Sequence, residues 1–249
     1  IATAAFANAM GYKYAVVIQP GVSAERTAIL KAYGVTLLQA DDVPGFREML
    51  DNGGLSMKVL TKIMNEYAKE HGYFYINQGG NDNNPLAHYN TTGPEIWEDT
   101  EGKVDYVVQL VGTGGTLAGL SKFMKEKNPD VKIIGAQPAK ASRRTPQNPN
   151  PNTIDGVLAF DGVPSQSIPT FFDEDNLPYD ECIDILAEDA YETGRKLVKS
   201  DGIFLGQSAG AAITAATIVA KRPEAEGKNI VIILADNAFK YLSTNMYKE

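Results

Sequence analysis

The sequence predicts an α/β protein with largely parallel sheets. Two observations carry that expectation. Short apolar runs of strand length alternate with amphipathic segments of helical spacing along most of the 249 residues. In addition, the segment GTGGTLAG (112–119) follows the apolar run DYVVQLV and precedes LSKFMKEKN, which has helical spacing. A glycine-rich turn at the exit of a buried strand and the entrance of a helix belongs to that architecture.

Taken in order, IATAAFANAMG reads as a helix stopped at Gly11. No Ser, Thr, Asp or Asn precedes Ile1 to cap it, and no basic residues precede the apolar part as in a signal peptide. A frayed terminal helix and a chain cut just inside one are both open. YAVVIQP (14–20) reads as a strand, SAERTAILKAYG (23–34) as a helix that Ser23 would cap, and VTLLQA (35–40) as the next strand, a βαβ unit. LSMKVLTKIMNEYAKEHG (55–72) is a helix closed by Gly72, and YFYIN (73–77) a strand. QGGNDNNP (78–85) is a loop and the best place for a domain boundary. Thr92-Gly93-Pro94-Glu95 has the spacing of a capping box, so a helix follows it. Strands are expected at 105–111 and 131–137, and the proline-rich stretch from Pro138 to Pro178 is loop-heavy. A helix at 187–202, a short strand IFLG, a small-residue helix at 208–222 and a strand at 229–236 complete the alternation.

Composition narrows the functional classes. With 43% hydrophobic residues the chain buries a sizeable core, as one large domain or two small ones. A formal charge of −8 argues against nucleic acid or an anionic membrane as the main partner. No apolar run approaches the roughly 18 residues of a membrane span. Cys182 is the sole cysteine, so no intrachain disulfide forms, and His71 and His88 make no metal-ligand cluster. A cytoplasmic protein is the expectation.

The glycine loop has the parts of an anion site. It lacks the lysine of a P-loop, and Leu117 stands where the dinucleotide fingerprint needs a third Gly or Ala. What remains is bare backbone N–H groups, a helix N-terminus and two hydroxyls, which hold a compact phosphate monoester without a cation. The alternative is a glycine turn that serves only close strand–helix packing.

These residues resemble the cysteine synthase/cystathionine β-synthase branch of fold-type II pyridoxal phosphate enzymes. GTGGTLAG is similar to that family's cofactor-phosphate loop. GYKYAVVIQPGVSAERTAILKAYGVTLL, NPLAHYNTTGPEIWEDTEGKVD, DGIFLGQSAGAAITAA and ADNAFKYLST have counterparts there in the same order. The resemblance implies that Gly112, Thr113, Gly114, Gly115 and Thr116 bind the phosphate of pyridoxal 5'-phosphate. It also implies that Ser208 faces the pyridine nitrogen; plain helix capping is the alternative for that hydroxyl. It implies a two-domain fold, with residues 1–78 as part of a smaller mobile domain and 79–249 as the larger cofactor-binding one.

The implied reaction is β-replacement. An activated serine such as O-acetylserine loses its α-proton and then acetate, and addition of sulfide gives cysteine. Cystathionine β-synthesis from serine and homocysteine is the second possibility. A non-catalytic fragment or paralogue that binds a partner or a phosphorylated ligand is the third. The family's Schiff-base lysine and its Ser/Thr-Gly-Asn loop would lie upstream of Ile1, so the chain as given is expected to be inactive. Lys58 belongs to a segment matching a downstream helix and is not that lysine. Gln207 stands where cysteine synthases have an apolar residue, and IDGVLAFDGV (154–163) replaces a GIGAGF-like segment. Cys182 matches no catalytic position. The resemblance further suggests a homodimer and leaves open whether a serine acetyltransferase tail docks at the site.

Overall fold

A computed structural model of the chain describes residues 1–19, 21–51 and 56–248. Strands β1 (Ala15–Ile18) and β2 (Thr36–Gln39) form a parallel pair in which Ala15 faces Thr36 and Ile18 faces Gln39. Helix α2 (Ala24–Ala32) joins them, as a parallel connection requires. Ser23 caps α2 by accepting from the Arg26 amide. The second sheet is also parallel, in the order β5-β4-β3-β6. Its strands are β3 (Tyr106–Leu110), β4 (Lys132–Pro138), β5 (Glu181–Ile185) and β6 (Ile230–Ile232).

The remaining helices are α1 (Ala2–Ala9), α3 (Phe46–Asp51), α4 (Met57–His71), α5 (Asn83–Asn90), α6 (Thr92–Asp99), α7 (Gly115–Lys127), α8 (Ala187–Asp201) and α9 (Gln207–Ala220). Central strand β3 is buried along its whole length. Its successive side chains point to opposite faces, so one sheet serves two cores. Val108 and Leu110 pack with Ile134, Ala209 and Ala212 on the α8/α9 face. Val107 packs with Ile133, Leu117 and Leu120 on the α7 face. The alanines of α9 let it lie close on α8. A Cβ on Gly210 would stand 2.4 Å from the Ala190 carbonyl oxygen. Among the described residues no helix is long and apolar enough to cross a membrane.

Most expected elements are present, with shorter bounds; Pro20 and Leu55, at the edges of two of them, lie outside the described residues. Four differences are informative. Residues 73–77 form no strand. Phe74 is 88% exposed and Asn77 has a φ of 52°, so this segment has neither a buried face nor extended backbone throughout. IFLG contributes only a single bridge, Leu205 to Asn237. The 78–85 loop gives way at Asn83 to α5, which the sequence pattern hid, as it hid α3 and edge strand β5. Finally, no capping box forms at Thr92, because α6 begins there and its N-cap is Thr91. The Thr92 hydroxyl is turned instead toward His88 Nδ1, 3.0 Å away.

Candidate active site

Parallel sheets offer ligands the crevice beyond the carboxyl ends of their strands, where neighbouring connections diverge. Here that point lies between β3 and β6. The chain leaves β3 through Val111 and Gly112–Gly114 and enters α7 at Gly115. Gly114 is the N-cap, with a φ of 87°, and supplies no side-chain cap. The first amides of α7 have no partners within the helix, and its first turn carries no acidic side chain. Positive dipole and bare N–H groups therefore coincide, the condition for holding an anion.

Three of the glycines are required by close neighbours. A Cβ on Gly112 would meet the Gly156 carbonyl oxygen at 2.7 Å. On Gly114 it would meet Pro169 Cβ at 2.7 Å and a Phe172 ring carbon at 2.9 Å, and on Gly115 it would meet Asn84 Oδ1 at 2.0 Å. Thr113 and Thr116 are half-buried, between the packed interior and the cleft. The turn is a cradle of neutral donors whose walls leave no room for side chains, and this donor set fits a phosphate monoester.

Ser208 reaches the same edge of the sheet by a different route. The Gly206 amide donates to the Asp236 carbonyl at 3.1 Å, which ties the start of α9 to the segment leaving β6. The helix N-cap is Gly206, so Ser208 sits in the first turn and caps nothing. Ser208 is half-buried, and among the described residues its hydroxyl makes no hydrogen bond. A chain of contacts joins it to the glycine loop. Buried Gln207 accepts the Asp155 amide at 2.8 Å, and Gly156 next to it lies against Gly112. The Leu158 amide then donates to the Val111 carbonyl at 2.7 Å.

The family resemblance marked Gln207 as an oddity but not what it does, which is to pin this segment. The other Gln207 contact, from Nε2 to Thr244 Oγ1 at 3.1 Å, brings in the C-terminal stretch. Also absent from the sequence-level candidates is an ionic cluster beside Asp155. Arg26 from α2 lies 3.3 Å from the Asp155 carboxylate and donates to the Tyr241 hydroxyl. Tyr241 donates in turn to Asp236 at 2.9 Å, and Lys240 pairs with Asp236 at 3.1 Å. The Arg26 and Asp155 side chains are only 21% and 20% exposed. Burial raises the Asp155 pKa, and the neighbouring Arg26 and Arg144 only partly oppose it. Cys182, by contrast, lies on β5 with its thiol pushed up to about 12, chiefly by burial, and is a poor nucleophile. Lys58 is an exposed residue at the start of α4.

The Arg26 pair makes a testable contribution to stability. Arg26→Met should cost about 2 kcal/mol at neutral pH, between the values for exposed and fully buried pairs. A carboxyl whose folded pKa is raised stabilises the fold below its unfolded pKa and loses that contribution as pH rises through the folded value. Removing Arg26 steepens this loss, so the variant's deficit should shrink in acid. Urea unfolding of both proteins at pH 7 and pH 4 measures it; an equal deficit at both would refute the coupling.

Known proteins resemble this chain over nearly its whole length. The sequence family described as pyridoxal-phosphate dependent enzyme matches residues 1–236. Cysteine synthase 3 of Caenorhabditis elegans is 34% identical over 252 residues, covering 100% of this chain and 68% of that protein. The crystal structure of a cysteine synthase from Entamoeba histolytica superposes with a TM-score of 0.79 at 34% identity, covering 100% of this chain and 68% of that one. An O-ureido-L-serine synthase structure gives 0.79 at 30% identity, with 99% and 72% covered. The chain belongs to the pyridoxal-phosphate dependent enzyme family, and its fold is the fold-type II arrangement of parallel sheets.

Proposed function

We propose that this protein takes part in β-replacement, making cysteine from O-acetylserine and sulfide, with the cofactor phosphate in the 112–116 cradle. The observation that carries the proposal is that cradle: glycines walled in by Gly156, Phe172 and Asn84 at the mouth of α7, in a chain similar end to end to cysteine synthases. When bound, pyridoxal phosphate draws electrons from the α-carbon of an amino acid, which allows the α-proton and the β-substituent to leave. The residues of this chain bind and orient. The amides of Gly112–Thr116 and the hydroxyls of Thr113 and Thr116 would hold the phosphate. The Ser208 hydroxyl would serve the ring nitrogen as a neutral partner, which would moderate electron withdrawal and suit elimination over prolonged carbanion chemistry.

The same proposal divides the chain into a smaller mobile unit, 1–78, around β1 and β2, and a larger unit, 79–249, around the four-stranded sheet. The Arg26–Asp155 pair, the Ser23 bond to the Lys240 carbonyl at 2.6 Å and the Ser56 bond to the Gln166 carbonyl at 2.9 Å would be contacts of closure. A cytoplasmic homodimer, with serine acetyltransferase as a further partner, completes it by analogy with the family.

The lysine that carries the cofactor and removes the α-proton is proposed to come from outside these 249 residues, so that the chain alone is inactive. Lys58 is exposed and Lys240 is engaged by Asp236, which supports this assignment. Borohydride treatment with pyridoxal phosphate should label exposed lysines of the chain unevenly and incompletely. Stoichiometric labelling of one lysine, Lys58 first, would contradict it. For the reaction itself, product analysis of the enzyme that also carries the lysine-bearing segment, supplied with O-acetylserine and with sulfide or homocysteine, decides. Cysteine is expected; cystathionine as the main product would move the assignment to the second reading.

A further inference from the structure

Helix α5 presents Asn84 and His88, four residues apart and therefore on one face, to the two threonines of the glycine loop. Asn84 Nδ2 donates to Thr113 Oγ1 at 3.0 Å and to the Gln78 carbonyl at 2.6 Å. A carbonyl only accepts, so the orientation of this amide is determined by chemistry. Thr113 Oγ1 is thus an acceptor toward Asn84, and its own proton is free to point elsewhere.

His88 stands between two hydroxyls: Nδ1 is 3.0 Å from Thr92 Oγ1 and Nε2 is 3.0 Å from Thr116 Oγ1. Burial holds its pKa below the usual imidazole value. A neutral ring has one donor and one acceptor nitrogen, so the chain of bonds has two possible polarities. With the proton on Nδ1, Thr116 must give its proton to Nε2 and shows only lone pairs to the cleft. With the proton on Nε2, Thr92 donates to Nδ1, the ring donates to Thr116, and the Thr116 proton is left for an anion.

We propose that Asn84 and His88 are positioning residues that hold both threonine hydroxyls as outward-facing donors, with His88 as its Nε2–H tautomer when phosphate is bound. This rests on the assignment of residues 112–116 as the phosphate loop. The neutral cradle then has a second layer on α5, in which Asn84 meets Thr113 and His88 meets Thr116. The same packing explains Gly119, where a Cβ would stand 2.2 Å from the Pro85 carbonyl oxygen and 3.0 Å from His88 Cβ.

The test uses the protein with its histidines labelled with nitrogen-15. There are two, and His71→Gln leaves His88 alone in the long-range proton–nitrogen spectrum. With saturating pyridoxal phosphate, or inorganic phosphate as the simpler probe, His88 should show the Nε2–H pattern. An Nδ1–H pattern in the bound protein overturns the relay while leaving the phosphate loop standing. A glutamine amide imitates Nε2 and an asparagine amide Nδ1. His88→Gln should therefore keep the affinity for pyridoxal phosphate near that of the unaltered protein. His88→Asn should weaken it about tenfold, the worth of one charge-assisted hydrogen bond. A merely structural histidine predicts equal losses for the two amides, and that result also overturns the proposal. If the unaltered protein binds neither probe, the loop assignment fails and this inference with it.

Discussion

Replacing Thr113 and Thr116 together by valine is expected to lower the affinity for pyridoxal phosphate a hundredfold or more. Valine keeps the shape of threonine and removes only the hydroxyl. Each lost bond to a charged phosphate costs on the order of 1.5–3 kcal/mol. The two side chains share one anion and their losses do not add fully, so about 3 kcal/mol for the pair is the conservative figure. That corresponds to roughly a hundredfold in the dissociation constant. The substitutions also strip Asn84 and His88 of their partners at 3.0 Å, which loosens α5 beneath the loop. Fluorescence titration with pyridoxal phosphate, alongside a thermal melt to confirm folding, measures the effect. Affinity within a factor of two of the unaltered protein would show that the hydroxyls do not face the phosphate.

Gly114→Ala should be comparably severe, through the fold of the loop rather than a lost donor. The backbone there has a φ of 87°, in the left-handed region that costs an alanine roughly 1–2 kcal/mol. The added methyl would also stand 2.7 Å from Pro169 Cβ and 2.9 Å from the Phe172 ring. Phe172 is buried and packs edge-on against Phe160 at 5.8 Å, so it has little room to retreat. Overpacking of this kind adds about 1–3 kcal/mol. Together the two effects amount to about 2–5 kcal/mol. Urea unfolding should register this loss, with a parallel loss of cofactor affinity because the first turn of α7 is displaced. Gly227→Ala is the control: its φ is 71°, but among the described residues nothing lies within 4 Å of the added methyl. Equal destabilisation of the two variants would mean that strain alone operates at Gly114.

What was legible in the sequence follows physical lines. Alternation of apolar runs with amphipathic segments announced parallel α/β architecture, because buried parallel strands read as continuous apolar stretches. β3, buried throughout, is the clearest case. Edge strand β5, with the pattern ECIDI and mostly half-buried, carries too little apolar signal to stand out beside the loop before it. YFYIN has strand composition without a strand partner, and composition alone does not supply one. The capping-box spacing at Thr92 misled because α6 already begins at Thr92 with Thr91 as its N-cap, and the Thr92 hydroxyl lies 3.0 Å from His88 Nδ1 instead.

The glycine loop was visible as a motif, since an anion-binding turn is local in sequence, and Ser208 was singled out through the family resemblance. Their supports are not local. Gln207 meets Asp155 across 52 positions, Arg26 meets Asp155 across 129, and Asn84 meets Thr113 across 29. Only the i, i+4 placement of Asn84 and His88 on one stretch offered a signal, and that required knowing that residues 83–90 are helical.

The most direct measurement is backbone amide mapping of the phosphate cradle. The protein, labelled with nitrogen-15, is titrated first with pyridoxal phosphate and then, separately, with pyridoxal. The phosphate form should bind far more tightly and shift the amides of Gly112, Thr113, Gly114, Gly115 and Thr116 most strongly, followed by Ser208. Pyridoxal should leave the loop amides nearly unmoved. Equal binding of the two compounds, or phosphate-dependent shifts that avoid residues 112–116, would contradict the assignment of this turn as the cofactor-phosphate site.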